Sequence, residues 1–414
     1  MSQRTYHDPL HGAIRLERSD PAEALAIDLI DTAPFQRLRR IRQLGPAYLT
    51  FHGAESSRFT HSLGVLDLAR RALRELCRFQ PELEQHSGLL YAAALLHDVG
   101  HGPLSHSGEE MYGLHHEAWS ARLIREHPSL REPLESFAPG TAAAAADLLE
   151  HGQSPSSAIK ALVSSQLDMD RLDYLARDSF FSGVVEGQVG SERILKMLDV
   201  VDDQLVVEEK GIYSIEKFIV ARRFMYWQVY LHKTVLSAEF MLVNALRRAQ
   251  ELARSGVELH CSPALRHFLY HKVTLNDLEG DSAALGYYAA LDDFDIAAAL
   301  KVWQQHEDRV LSMLASHLVN RRLFKIEIQR EAFTLNRVNS EIDRVAAKFG
   351  FSNEEAAYFV IHSSVDNRAY NSQYDVIRIL MKDGSVRDAA EVSDHLNIAA
   401  LSSVVEKHFV AYLR

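Results

Sequence analysis

The stretch "LLHDVGHGPLSH", residues 95–106, constrains this chain more than any other. An apolar helix, Gly88 to Leu96, runs out there into three histidines, an aspartate and two glycines within twelve positions. Consecutive helical residues point about 100° apart, so His97 and Asp98 can face one ion only if the helix ends at that point. Gly100, Gly102 and Pro103 supply such an end. Imidazole and carboxylate donors suit Fe, Mn, Zn or Ni better than a thiolate set would, and they also admit Mg.

Two ligands do not hold a metal, so other segments have to supply more. In "SSRFTHSLGVLDLARRALRELC", capped by Ser57, His61 lies on an amphipathic helix with Arg58 one turn earlier on the same face. In "SQLDMDRLDYLARD", Asp170, Asp173, Tyr174 and Arg177 fall at i, i+3, i+4 and i+7, which turns carboxylate, phenol and guanidinium toward one cleft. For a lone His–Asp pair the plainer reading is a capped helix end. A series of His, then His-Asp, then Asp, with glycines behind the pair, points instead to a metal site. Asp173 reads as a buttress of its helix, Arg177 as a structural ion-pair partner, and His115 as a surface neighbour of His116.

Helical patterns dominate the first two thirds. "DTAPFQRLRRIRQLG" predicts a helix capped by Thr32, with Pro34 in its first turn and Gly45 as its stop; Arg37, Arg39, Arg40 and Arg42 read mostly as a solvated face. Further helices are predicted around 119–126, 142–149, 159–177, 214–233 and 239–253. "MLDVVDDQLVVEEKGIYSI" reads as a hairpin with turns at Asp202-Asp203 and Lys210-Gly211. From residue 324 "LFKIEI", "AYFVIHSSV" and "DVIRILMKDGSVRDAAEV" read as strands, and "SSVVEKHFVAYL" as a closing helix. The expectation is a mainly α body over 1–323 with a small β-hairpin, and a C-terminal α+β lobe over 324–414.

A net charge of −11 disfavours nucleic acid or anionic lipid as the main partner. No segment approaches the roughly 20 apolar residues of a membrane span, and the start lacks a signal-peptide core. The two cysteines, Cys77 and Cys261, are far apart and in no ligand-like spacing. A cytoplasmic chain without disulfides is expected.

The stretches "DPLHG", "IDTAPFQRLRRIRQLG", "SSRFTHSLGV", "LLHDVGHGPLSH", "HHE", "LDMDRLDYLARDSFFSG" and "RRLFK" resemble the HD-domain metal-dependent phosphohydrolases. Closer still are the deoxynucleoside triphosphate triphosphohydrolases, among them bacterial dGTPase-like enzymes and the vertebrate protein that joins a sterile-α-motif domain to an HD domain. The stretches run in family order from about residue 8 to residue 325, and the final lobe matches only loosely.

The resemblance implies an HD-domain helical core that holds one divalent metal per chain on His61, His97, Asp98 and Asp170. It implies that His101, His106 and His116 line the α-phosphate, with Glu109 positioning His106 as general acid. Arg58, Arg171, Tyr174 and Arg222 fall at triphosphate-contacting positions; Gln43, Leu44, Tyr174 and Asp178 fall at sugar-reading ones. Tyr226 and Leu231 depart from the polar residues of the vertebrate pattern, which leaves base preference open. The implied reaction turns dNTP into deoxynucleoside and tripolyphosphate. Competing readings are an HD phosphodiesterase or nucleotidase acting on another nucleotide, and a non-catalytic sensor.

The resemblance also implies control. Arg4, Asp31, Gln36 and Arg39 match positions that bind an activating guanine nucleotide, with Arg321 and Lys325 reaching its phosphates from a neighbouring subunit. The expectation is then a homodimer or homotetramer activated by dGTP or another nucleotide. The alternative is that Asp31 caps a helix and the arginines form surface pairs.

Overall fold

Strands β1 (Gln3–Asp8) and β2 (Gly12–Glu17) pair antiparallel at the start of the computed structural model, which describes residues 3–103, 111, 115–273, 282–368, 370–371, 375–394, 398 and 403–414. Asp8 makes the turn between them. Its carboxylate accepts from the backbone N–H groups of Leu10 and His11, each at 2.9 Å. Helix α1 (Pro21–Ile30) follows on an Asp20 side-chain cap.

The body is built from α2 (Arg58–Leu76), α3 (Ser87–Leu96), α4 (His116–Glu126), α5 (Met169–Ser182), α6 (Ile212–Met225) and α7 (Lys233–Arg254), with shorter helices between them. Apolar nearly all round, α3 has no face to turn to water, and α1, α2 and the helix Thr141–His151 surround it. Its C-terminal end, with His97 and Asp98, is thereby carried into the interior. One buried apolar cluster runs from Ile14 to Leu413. The architecture is mainly α with small sheets, as expected, and among the described residues no helix is long and apolar enough to cross a membrane.

The arginine run keeps Arg39 and Arg40 exposed, as predicted, but Arg37 is buried and the helix ends early. The helix Ala33–Arg37 gives way to a 3₁₀ turn over Leu38–Arg40 and stops there. Thr32, at the capping position, donates its hydroxyl to the carbonyl of Leu29 instead. Arg37 is fully buried and donates to the carbonyls of Val99, His101, Tyr288 and Leu291 at 2.8–2.9 Å. Arg40 and Arg42 are drawn to Asp292 and Asp293. The backbone leaves the helical path where these partners take the side chains.

Other boundaries differ for local reasons. The pattern over 159–177 splits into the helix Ser157–Val163 and α5, because Asp168 accepts from the Arg171 N–H at 2.7 Å and caps a new helix. α6 passes into a π-helical turn, Tyr226–Tyr230, and α7 starts at Lys233. Asp202 and Asp203, both left-handed at φ 49° and 57°, close the hairpin of β3 (Leu198–Val201) and β4 (Gln204–Glu208). Lys210 and Gly211 belong to a 3₁₀ turn.

Beyond residue 324 come β5 (Lys325–Gln329), β6 (Val360–Asn367), β7 (Arg378–Leu380), β8 (Val386–Asp388) and β9 (Val405–Tyr412). The predicted closing helix is β9, a central strand antiparallel to both β5 and β6. Phe409, Val410, Ala411 and Tyr412 are buried in succession, and such a run on a doubly covered strand lacks the alternation that would have marked it. β7 and β8 extend the earlier hairpin into one sheet of order β3-β4-β7-β8. Beside that sheet Gln166, just before α5, donates its side-chain amide to the carbonyls of Asn371 and Asp375 at 2.7 and 2.8 Å.

Candidate active site and metal centre

The end of α3 turns sharply against α4. A Cβ on Gly100 would lie 2.1 Å from the backbone nitrogen of Ser120, so only glycine fits. The Ser120 hydroxyl accepts from the Gly100 N–H at 2.8 Å and donates to the His97 carbonyl at 2.9 Å. This stitch holds His97 and Asp98 facing α2 and α5. Those two helices meet as closely, since a Cβ on Gly64 would lie 2.0 Å from the Asp173 carboxylate.

His61, His97 and Asp170 converge there as a group able to hold a metal ion. Nε2 of His61 lies 3.0 Å from Asp170 Oδ1 and 3.2 Å from Nε2 of His97. The outer nitrogens are engaged elsewhere: His61 Nδ1 bonds Asp173 at 2.8 Å, and His97 Nδ1 bonds the Ala94 carbonyl at 2.9 Å. Both Nε2 atoms are therefore left facing the centre. Asp98 stands beside them, with Oδ1 3.3 Å from His97 Nε2, while its other oxygen is ion-paired with Arg58.

The electrostatics fit a cation. Burial alone would lower the pKa of His61, but hydrogen bonds to Asp170 and Asp173 and the charge of Asp98 override it and push it up to about 10. Burial works to raise Asp98, yet the Arg58 guanidinium and the imidazoles of His97 and His101 hold it well below the ordinary carboxylate range. A centre that stabilises positive charge this strongly, with nitrogen and oxygen donors converging, suits a divalent ion.

Asp173 and Arg177, both fully buried, form the support beneath. Arg177 donates to Asp173 from Nε at 2.8 Å and to Asp8 from Nη1 at 2.9 Å. His11 Nε2 lies 2.5 Å from Oδ1 of Asp173, which also accepts from Arg177 Nη2 at 3.1 Å. The "DPLHG" motif thus props the carboxylate that orients His61, a role that the sequence reading did not assign to it. His11 and Asp173 are 162 residues apart, so no local signal could have paired them.

A cavity of about 510 Å³ opens from this centre. Arg58, His101, His116, Arg171, Tyr174 and Arg222 line it, and so do Gln43, Leu44 and Asp178. His101 and His116 stack with ring centroids 3.8 Å apart. Tyr226 and Leu231 are in the wall as well. Tyr230 and Glu239 are wall residues that the sequence reading missed. Burial raises Asp178 to about 7, against the hydrogen bond it accepts from the Tyr230 hydroxyl at 2.8 Å. His106 and Glu109 lie outside the described residues.

The residues matched to an activator site fall in two places. Arg4 is ion-paired with Asp31, and Arg39 donates to Gln36 at 2.7 Å while its guanidinium lies 3.5 Å from the centroid of the Phe59 ring. Arg321 donates to the Leu49 carbonyl at 2.6 Å and Lys325 pairs with Glu327 at 3.1 Å. Among the described residues no hydrogen bond or ion pair joins the two groups within the chain.

Comparison with known proteins gives the same outline. Residues 58–178 match the HD domain and residues 189–261 the HD associated region. The chain is 34% identical to the uncharacterized protein YwfO of Bacillus subtilis over 94% of its own length and 88% of the relative's. It superposes on the crystal structure of a phosphohydrolase from Bacteroides thetaiotaomicron with a TM-score of 0.91 and 41% identity, covering 100% of both chains. It is 30% identical to the Dictyostelium discoideum homolog of the deoxynucleoside triphosphate triphosphohydrolase SAMHD1, over 62% of this chain and 52% of that one. With ligand-type residues of the HD region converging at the end of α3, the chain belongs to the HD-domain, dNTPase-like family of metal-dependent phosphohydrolases.

Proposed function

We propose that the protein hydrolyses deoxynucleoside triphosphates to the deoxynucleoside and inorganic tripolyphosphate. The observation that carries this reading is the single cavity that joins the metal-ligand cluster to three arginines and to Gln43, Leu44, Tyr174 and Asp178. Arg58, Arg171 and Arg222 offset the triphosphate charge in an otherwise acidic protein. Gln43 and Asp178 hold the sugar through its 3′-hydroxyl, while Leu44 and the Tyr174 ring leave little room for a 2′-hydroxyl, so ribonucleotides bind poorly. A divalent ion on His61, His97, Asp98 and Asp170 would polarise the α-phosphate and raise the acidity of water, whichever of Fe, Mn, Zn, Ni or Mg is native. His106, positioned by Glu109, gives a proton to the departing 5′-oxygen, with His116 and His101 flanking the α-phosphate.

The reading includes control. A nucleotide at Arg4, Asp31, Gln36 and Arg39, dGTP or another, opens the Arg4–Asp31 pair and takes Arg321 and Lys325 from a second copy as phosphate contacts. Binding and assembly into a dimer or tetramer are then linked, each strengthening the other. The enzyme would work on the cytoplasmic nucleotide pool.

Product analysis tests the reaction, with all four dNTPs singly and mixed, across Mg, Mn and Fe. Tripolyphosphate is expected. Pyrophosphate or orthophosphate would make the protein a nucleotidase of another kind, and binding without turnover a sensor. Sedimentation and rates with and without nucleotide, for wild type and Arg321→Glu, test the control; indifference to both would remove it and leave the reaction standing.

A further inference from the structure

Glu239 lies in the wall of the cavity, without a partner among the described residues. It sits on α7 one turn after Val235, which packs with Ala47 and Ala54 and touches Leu44 and Phe51, so this side of the cavity is otherwise apolar. Among the described residues nothing donates to its carboxylate and no cation pairs with it. Its pKa rises to about 7 through burial alone, with no contribution from any charged neighbour. It stands on α7 beside the apolar Val235 cluster, whereas Arg58 is on α2 and Asp170 and Arg171 are on α5. α7 likewise supplies none of the ligand residues.

A carboxylate that faces this cavity, with no donor among the described residues, is free to accept hydrogen bonds from a ligand that displaces its water. With phosphates at the arginines and the sugar at Asp178, the part of a nucleotide left for the apolar end is the base. Two carboxylate oxygens accept two parallel N–H donors, and of the four DNA bases only guanine presents two adjacent donors on its Watson–Crick edge, N1–H and N2–H.

We propose that Glu239 is the base-reading residue of this cavity and selects deoxyguanosine nucleotides. The inference rests on the dNTP reading above. Sites built to hydrogen-bond a group reject analogues that lack it, by as much as about 10⁴–10⁵-fold where nothing else compensates, because their own polar atoms are then left unpaired.

The test is kcat/KM for the four dNTPs with wild type, Glu239→Gln and Glu239→Ala, in Mn. Wild type should favour dGTP over dATP by at least about 10-fold, a fraction of the discrimination such sites reach. Glutamine offers one acceptor and one donor, which matches adenine's N6–H and N1. The dGTP-to-dATP ratio should therefore fall by about 100-fold in Glu239→Gln and invert, each wrong pairing being worth about 10-fold or more. In Glu239→Ala the preference should vanish without inverting. An active wild type whose ranking of the four substrates survives Glu239→Gln overturns the base-reading role and leaves the reaction intact. A wild type inert on every dNTP overturns the reaction, and this role with it.

Discussion

Nδ1 of His61 and Oδ2 of Asp173 lie 2.8 Å apart, with Asp173 fully excluded from solvent. The carboxylate accepts the Nδ1 proton and so leaves Nε2 as the free ligand atom. Asp173→Asn keeps the shape but weakens this orientation, and metal affinity should fall by about 10–100-fold. It also leaves Arg177 with Asp8 as its remaining carboxylate partner among the described residues, at a cost of about 1.5–3 kcal/mol. Titration with Mn, followed by its paramagnetic signal, and thermal unfolding measure the two effects separately. Metal affinity equal to wild type would mean that Asp173 serves the fold alone.

His97→Ala and Asp170→Asn should each remove the bound ion while the helical circular dichroism persists, since both side chains end at the centre rather than in the apolar core. Elemental analysis of the purified variants decides it. Full occupancy in both would sink the ligand assignment.

Asp178 should make stability depend on pH. Its folded pKa of about 7 stands above the ordinary 3.8, so between these values the folded state binds the proton and the unfolded state does not. Stability is therefore lost as pH rises from about 4 to 7, and the penalty is complete above 7, on the order of 4 kcal/mol for a shift of this size. Asp178→Asn should raise the melting temperature at pH 8 and change it little at pH 4. On the proposed reading, in which this carboxylate holds the sugar, it should also lower dNTP turnover. Equal shifts at both pH values would place the cause elsewhere.

Arg37→Met removes the donor from the buried carbonyls of Val99, His101 and Leu291, and from that of Tyr288, which keeps the Leu291 N–H at 3.1 Å. Each orphaned acceptor costs about 1–3 kcal/mol, with partial relief if water enters. A loss above about 3 kcal/mol is expected in denaturant unfolding, and metal content should fall too, since two of the carbonyls belong to the loop after His97. A variant as stable as wild type would show that the loop finds other donors.

The features legible along the chain lie in short windows. His61 behind the Ser57 cap, the helix stop after His97 and Asp98, and Asp170 with Tyr174 on one helical face are all marked within a turn or two of the residues concerned. Helical periodicity is local for the same reason, and the mainly α body followed from it. Tertiary structure decided whatever depends on partners far along the chain. Arg37 is buried only because residues 99, 101, 288 and 291 bring it their carbonyls. β9 is a strand only because β5 and β6 flank it, and a buried run of apolar residues has the same pattern in either conformation. His11 and Glu239 were silent for the same reason: one acts through a carboxylate 162 residues away, and the other stands out because no described residue donates to it. A hydrogen bond, or the lack of one, across such a separation has no spacing that a linear pattern could carry.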